Sequence, residues 1–565
     1  MTKLTTPFHW FSCQNLTPIL IVPQSLLAKS AWKWTRLEVI EFFKANQNVA
    51  DFDQEDIDLI AKKKYNGQTL LKLTEARLVK SGLEAGVIDM VMELVEKLKK
   101  LRGIVSTTKA VGRDLTYERI RKLPSPSSMA NPQDFNEMQI GDPVILCSRP
   151  PDAVGLPVAL LDPILAKFQA DADALNGVEP DKDDISFILD LSCDMCSLTF
   201  SNEDARRDTF IEHLNKYLQK RLLYSFGNQR VTDGSLMFIK NNYEIPLLSV
   251  EMKPEFGIGK GCAYMQSCLY YLKFITKLED KLVPKQRFPV FLMYLAGPYL
   301  GIAAAVFQDK PVVEPITQVM PLFCLPHNES MMLQNARIFK ALKIALADLE
   351  ELYGKLTEQP QPNIDSDLQW NFPYVDSVEI KDSKRKLKYI KKLGGRYVFQ
   401  ATMEGTSGNP EDVVVKFAKR YSKACHKACY KSGIAPKLYA FKWINGGWCV
   451  IVMALLKDHE TSYRLAQDSK LSQSIKTQAE NAVKKMHDNG FVHGDLRLPN
   501  IMVGPNDSIQ IIDFDWAGKT GETVYPYFLN PEVDWHEEVN AAVEIKPEHD
   551  IHMLKIDFMY RPTVT

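Results

Sequence analysis

Net charge, cysteine and uninterrupted apolar runs are all scarce in this 565-residue chain. Its 69 Lys and Arg stand against 70 Asp and Glu, a formal net charge of −1, so no overall attraction to nucleic acid or to a membrane surface is built in. Ten cysteines without a dense framework exclude a secreted disulfide scaffold and point to a reducing, intracellular compartment. Cys193-Asp194-Met195-Cys196 is the one paired spacing, and no second cysteine pair or histidine pair is expected at zinc-ligand distance from it. The longest early apolar stretch, Leu16 to Ala28, is interrupted by Pro18, Pro23, Gln24 and Ser25 and is too short to cross a bilayer. Its only charged prelude is Lys3, which leaves a secretory signal unsupported. What is present is ordinary globular composition, 45% hydrophobic and 25% charged, long enough for three or four units at roughly 150 residues each.

The first unit is helical by periodicity. Val39, Ile40, Phe42 and Phe43, then Ile57, Leu59 and Ile60, then Leu70, Leu71 and Leu73 recur at helical spacing, and Ile88, Met92, Val95, Leu98 and Leu101 stripe a closing helix. Asn66-Gly67 and Ser81-Gly82 punctuate them. This order, with Tyr65-Asn66-Gly67-Gln68-Thr69-Leu70-Leu71-Lys72-Leu73-Thr74 at its centre, resembles a sterile alpha motif (SAM) domain over residues 34–102. The resemblance implies self-association or a protein partner. Residues 103–180, rich in turn formers such as Pro124-Ser125-Pro126-Ser127-Ser128, Asn131-Pro132 and Pro150-Pro151, read as a linker.

An α/β domain is expected over 181–353. Asp233-Gly234-Ser235-Leu236-Met237-Phe238-Ile239 and Pro246-Leu247-Leu248-Ser249-Val250-Glu251-Met252-Lys253, joined at Asn241-Asn242, read as a hairpin. Alternation places Glu251 and Lys253 on one face, where Asp233 and Glu251 can hold magnesium and Lys253 can act on water and a phosphodiester. The pattern resembles the restriction-endonuclease-like PD-(D/E)XK superfamily, which implies a further metal-site acid, best matched by Glu203, and a glutamine on the next helix, matched by Gln266. Nucleic acid is the substrate class so implied, although no basic, aromatic-interleaved surface accompanies it.

After a second prolyl stretch, read as a linker over 354–385, an α+β unit over 386–565 carries phosphoryl-transfer signals in order. Lys416 sits in the strand Val413-Val414-Val415-Lys416-Phe417. Farther on come His493-Gly494-Asp495-Leu496-Arg497-Leu498-Pro499-Asn500 and Ile511-Ile512-Asp513-Phe514-Asp515-Trp516. Phosphoryl transfer needs an acid at the acceptor hydroxyl and oxygen ligands gripping magnesium on the phosphates. Asp495 fills the first role, Asn500 and Asp513 the second, Lys416 reaches the ATP phosphates and Arg497 neutralises the γ-phosphate. The set resembles the protein kinase superfamily, closest to a fungal kinase-like branch with His-Gly-Asp in its catalytic loop. That implies ATP and magnesium, with Asp550 holding the loop. Gly394 and Gly395 are all that stands for a glycine-rich loop, the segment Tyr421 to Lys431 lacks an acid to pair with Lys416, and little chain follows Asp550.

The order of the three units resembles Crinkler-type proteins, although Met1-Thr2-Lys3-Leu4 opens no ubiquitin-like header. Three readings stay open: an ATP-dependent protein kinase, a pseudokinase or scaffold, and a nuclease whose kinase-like part is regulatory.

Overall fold

The computed structural model describes residues 23, 34–47, 52–66, a scatter of positions from 69 to 95, and 110–559 apart from 197–199, 201, 227–228, 242, 259–260, 278–286, 326, 359–370, 395–396 and 406–408. Two compact units divide at Leu115.

In the first unit, α1 (Arg36–Ala45) and α2 (Gln54–Lys62) each start at a reciprocal cap, Thr35 with Glu38 and Asp53 with Asp56, which satisfies amides that the first turn leaves without partners. Their apolar faces bury Trp34, Val39, Phe42, Phe43, Ile57 and Ile60 against Leu70, Leu78, Ile88, Val91 and Val95. This part is helical, as the periodicity predicts. The remaining positions of its closing helix lie outside the described residues.

Within the stretch read as a linker, the described residues 110–180 carry short helices. Beyond α3 (Ala110–Arg121) come a one-turn helix Pro126–Met129, α4 (Pro132–Gln139), a one-turn helix Val158–Leu161 and α5 (Pro163–Ala172). Phe135, Leu161, Leu165 and Phe168 are fully buried in the core of the second unit. The prolines mislead because they open helices: Pro126, Pro132 and Pro163 occupy first turns behind the capping side chains of Ser125, Asn131 and Asp162, where a missing N–H costs nothing.

The α/β part follows with α6 (Lys182–Met195), α7 (Glu203–Leu218), β1 (Leu223–Phe226), β2 (Gln229–Lys240), β3 (Tyr243–Lys253), α8 (Ala263–Lys277), β4 (Val290–Ala296), β5 (Tyr299–Phe307), β6 (Pro311–Pro315), β7 (Met320–Pro321) and α9 (Glu329–Glu358). Among the described residues the strands pair in the order β1-β2-β3-β4-β5-β6, with β7 also on β5. β2 and β3 form the antiparallel hairpin, whereas β3 and β4 run parallel through the crossover helix α8. The continuous burial of β4 and β5 matches a sheet covered on both faces.

The C-terminal part starts earlier than residue 386. β8 (Ser377–Ile380) already pairs with β9 (Ser383–Lys392), followed by β10 (Val398–Met403), β11 (Glu411–Ala418), α10 (Lys423–Lys431), β12 (Leu438–Ile444) and β13 (Trp448–Ala454), ordered β12-β13-β11-β10-β9-β8. Next come β14 (Glu460–Thr461), α11 (Gln473–Asp488), β15 (Phe491–Val492), β16 (Ile501–Val503), β17 (Ile509–Ile511), β18 (Gly518–Lys519) and α12 (Pro547–Met559). The β16–β17 hairpin turns at Pro505–Asp507, with Asn506 at φ 57°.

The small-lobe sheet shares its core with the preceding part: Ala159, Leu160 and Ala166 pack in one cluster with Phe372, Leu387, Phe399, Val413, Val415 and Phe417. Arg287 donates to the carbonyls of Leu161 and Phe372, and the Tyr374 N–H donates to the Leu160 carbonyl at 2.8 Å. A fragment starting at residue 371 is therefore expected not to fold. In the full chain, Leu160→Ala is expected to cost about 2–5 kcal/mol, seen as faster amide exchange in β10 and β11; unchanged protection there contradicts the shared core.

Candidate functional site

The strand β11 carries Lys416 inward, 7% exposed, between Val415 and Phe417. Its Nζ lies 2.5 Å from Asp513 Oδ1 and 2.7 Å from Asp515 Oδ1. Burial pulls the Lys416 pKa down, but the two carboxylates outweigh it and the net shift is upward. For Asp513, burial opposes ionisation and Lys416 prevails, holding the carboxyl below its usual range. Asp515 is pushed up to about 7, first by burial and then by the charge of Asp513. Lys416 thus has acidic partners, but they come from the Asp513-Phe514-Asp515 turn and not from α10. That helix presents buried His426 in their stead: its ring stacks on Phe514 at 4.8 Å, faces the Tyr421 hydroxyl at 2.6 Å and lies 2.8 Å from the Pro436 carbonyl. Burial lowers the pKa of His426 to about 4, so it is a neutral wedge at neutral pH.

The loop after β15 positions the remaining groups. Asp550, fully buried on α12, accepts hydrogen bonds from the His493 and Gly494 amides at 2.8 Å each and lies 3.0 Å from His487 Nε2. Gly494 stands at φ +79°, and a Cβ there would come within 2.7 Å of Ile545, so only glycine fits. With the loop so held, Asp495 receives Arg497 on both oxygens, at 2.6 and 2.9 Å. Asn500 Nδ2 donates to the Asp495 carbonyl at 2.8 Å and to Oδ2 at 3.2 Å. Asp513 occupies a left-handed backbone position, φ 66°, a strained conformation typical of functional turns.

Asp495, Arg497 and Asn500 therefore form one hydrogen-bonded group, and Lys416 and Asp513 another that also includes Asp515, which sequence reading passed over. The signal was there, an acid two residues after Asp513, but its use depends on a lysine far away in the chain. Gly394 lies in the bend between β9 and β10, where a Cβ would meet nothing within 4 Å; Gly395 lies outside the described residues. The carboxylates of Asp513 and Asp495 and the Asn500 amide oxygen are hard donors of the kind magnesium takes.

A second group sits at the end of the β2–β3 hairpin. Asp233 Oδ2 accepts the Met252 amide at 2.8 Å. Glu251 is 1% exposed, and its Oε1 has no hydrogen-bond partner among the described residues. Burial, then Asp233, raise the Glu251 pKa well above the ordinary value, with Glu203 adding to the shift and Lys253 opposing it. Glu203, at the start of α7, is raised by burial and by Asp233 and lowered by Lys253. Three acids and one lysine from β2, β3 and α7 thus lie within electrostatic reach of one another. Gln266 is buried on α8.

Cys193 is exposed and Cys196 half-buried at the end of α6, where the Cys196 thiol donates to the Cys193 carbonyl at 3.3 Å. His536, Glu538 and His549 also cluster. The Nδ1 atoms of both histidines accept backbone amides, which leaves the protons on Nε2 and no free lone pair for an ion.

The profile of the RIO domain family matches residues 377–530. Solved structures similar to part of the chain include the Cydia pomonella granulovirus kinase PK-1, at 15% identity over 30% of this chain and 66% of that one with a TM-score of 0.23. Another is vaccinia related kinase 3, at 15% identity over 34% and 68% with a TM-score of 0.24. The chain spans just under two thirds of the granulovirus kinase. No curated protein matches, and no described helix is long and apolar enough to cross a membrane. Lys416, the Asp495 loop and the Asp513 turn all fall inside the matched segment, and the C-terminal part of this chain, with its RIO domain match from β8 onward, is kinase-like in fold.

Proposed function

We propose that the C-terminal part is an ATP- and magnesium-dependent phosphotransferase acting on protein. The observation that carries the reading is the gathering of Lys416, Asp513 and Asp515 at one turn, beside a catalytic loop whose Asp495, Arg497 and Asn500 are mutually hydrogen-bonded. In this reading Asp495 accepts the proton of the acceptor hydroxyl, held in aim by Arg497 and Asn500. Lys416 leaves the acids for the nucleotide phosphates, and Asp515 supplies the counter-charge that α10 lacks. Asn500 and Asp513 would hold magnesium, which would supply positive charge to the phosphates of the nucleotide. The competing reading, a pseudokinase or scaffold, draws on the acid-free α10 and the scant glycine loop.

The hairpin group supports a nuclease-like reading of the middle domain, of the PD-(D/E)XK kind. There Asp233, Glu251 and Glu203 serve magnesium, Lys253 serves water and phosphate, and the kinase-like part is regulatory if this is the main activity. The helical core at 34–95 supports a SAM-like module that binds a protein partner or a second copy of the chain, and the order of parts supports a Crinkler-type architecture. Incubating the full chain with labelled ATP and a generic protein substrate, and separately with plasmid DNA and magnesium, separates these readings. Transfer of label is expected; its absence alongside intact ATP binding favours the scaffold, and cleavage without transfer favours the nuclease.

A further inference from the structure

A net charge near zero conceals one strongly one-sided segment. From Lys381 to Lys392 the chain sets seven Lys and Arg against a single acid, Asp382. Most of that charge lies on β9, which pairs with β8 on one side and β10 on the other. The inner face of the strand decides where the lysines point. Leu387 and Tyr389 are buried in the core shared with the preceding part. The Tyr389 ring stacks on Phe372 at 5.3 Å, and its hydroxyl donates to the Val375 carbonyl at 2.7 Å. Alternation then turns Lys384, Lys386 and Lys388 to the opposite face, all three exposed. A register shift against β10 brings exposed Lys391 onto that face too: Lys388 stands opposite Thr402 and Lys391 opposite Gln400, two residues apart on β10. Four ammonium groups thus line one face over roughly 20 Å, at intervals of about 6.8 Å where the strand is regular.

The acids around the row do not cancel it. Glu379 of β8 stands opposite Lys384. Glu404 accepts the Lys386 amide at 3.3 Å. Asp412, on β11 opposite Thr402, is held by Lys457 at 2.6 Å. Lys391 has no acid beside it, since Gln400 and then Val414 continue its line across the sheet. We propose that this exposed face of β9 binds the phosphate backbone of a nucleic acid, without regard to base sequence. A polynucleotide carries a charge at every unit and can meet the lysines one after another, whereas a polypeptide does so only where acids recur at alternate residues. The row holds no device for reading or stacking on bases: its aromatic ring, Tyr389, is turned into the core, so the contact is with phosphate alone. Because the packed inner face already fixes the strand, binding has to order only the lysine side chains and the nucleic acid. Neither the phosphotransferase nor the nuclease reading is needed for this contact.

The test is the fluorescence anisotropy of labelled oligothymidylate titrated with the full chain in EDTA, where neither phosphoryl transfer nor magnesium-dependent cleavage contributes. Binding at low salt is expected. The logarithm of affinity should fall against the logarithm of salt concentration with a slope of about −3, from four phosphates at about −0.7 each. Replacing two of the four lysines, Lys386→Gln with Lys391→Gln, is expected to bring the slope to about −1.5. Lys386→Glu with Lys391→Glu should weaken binding at fixed salt by more than about 10-fold. Lys485→Gln, exposed on α11, is expected to change neither value. Should the reversed pair misfold, the neutral glutamine pair still decides the matter. No binding at low salt overturns the proposal, as does a slope unchanged in the glutamine pair. So does polyglutamate that displaces the labelled strand, charge for charge, as well as unlabelled oligothymidylate does, which would assign the face to an acidic protein.

Discussion

Asp513→Ala is expected to abolish magnesium-dependent ATP binding, and with it all phosphoryl transfer. The carboxylate is held below its usual pKa by Lys416, sits on a strained turn at φ 66° and is a hard oxygen ligand of the type magnesium requires. Because outer-shell partners of a metal are already worth 10–100-fold, loss of the ligand itself is expected to exceed about 100-fold in affinity. The fold should survive, since Asp515 remains to pair with Lys416 at 2.7 Å. Asp495→Asn is expected to behave differently. Its amide can still meet Asn500, ATP binding should be nearly unchanged, and turnover should fall by about 10²–10⁴-fold, the usual worth of a positioned acid or base. Equal loss of binding and turnover in Asp495→Asn would refute that division of labour.

The second large effect is a gain and a loss in one variant. Glu251→Gln keeps the volume of a fully buried side chain while removing its charge from beside Asp233 and Glu203. In the metal-free chain this is expected to stabilise the middle domain at pH values where Glu251 would otherwise ionise, since the negative charge next to Asp233 and Glu203 is gone. The folded pKa of Glu251 stands above its unfolded value. The wild type therefore binds more protons folded than unfolded and loses stability as pH rises above the ordinary glutamate range. Glu251→Gln should remove that component, so its advantage grows from pH 5 to pH 8 in urea unfolding, and magnesium should narrow the gap by stabilising only the wild type. Any magnesium-dependent cleavage should vanish with the same substitution. A variant less stable than wild type at pH 8 would mean that Glu251 is a satisfied core residue.

What sequence shows and what it hides divide by range. The loop from His493 to Asn500 and the turn at Asp513 stand out in the sequence through their short spacings, and the structure joins Asp495, Arg497 and Asn500 in one hydrogen-bonded group and Asp513 to Lys416 in another. The β2–β3 hairpin was legible because the turn formers at Asn241-Asn242 separate two apolar runs. Pro126 and Pro132 misled because proline both breaks and begins helices, and only the capping residue in front tells the cases apart. Asp515 and the packing of Leu160 under the small-lobe sheet were missed for a common reason: each acquires its meaning from a partner far along the chain.

The central claim is that Lys416, Asp495, Asn500 and Asp513 form a working nucleotide site. Calorimetric titration of ATP into the full chain, with and without magnesium, tests it most directly. Saturable binding that requires magnesium is expected in the wild type and in Asp495→Asn and is expected to be missing in Asp513→Ala. ATP binding that is indifferent to magnesium, or unchanged in Asp513→Ala, would contradict it.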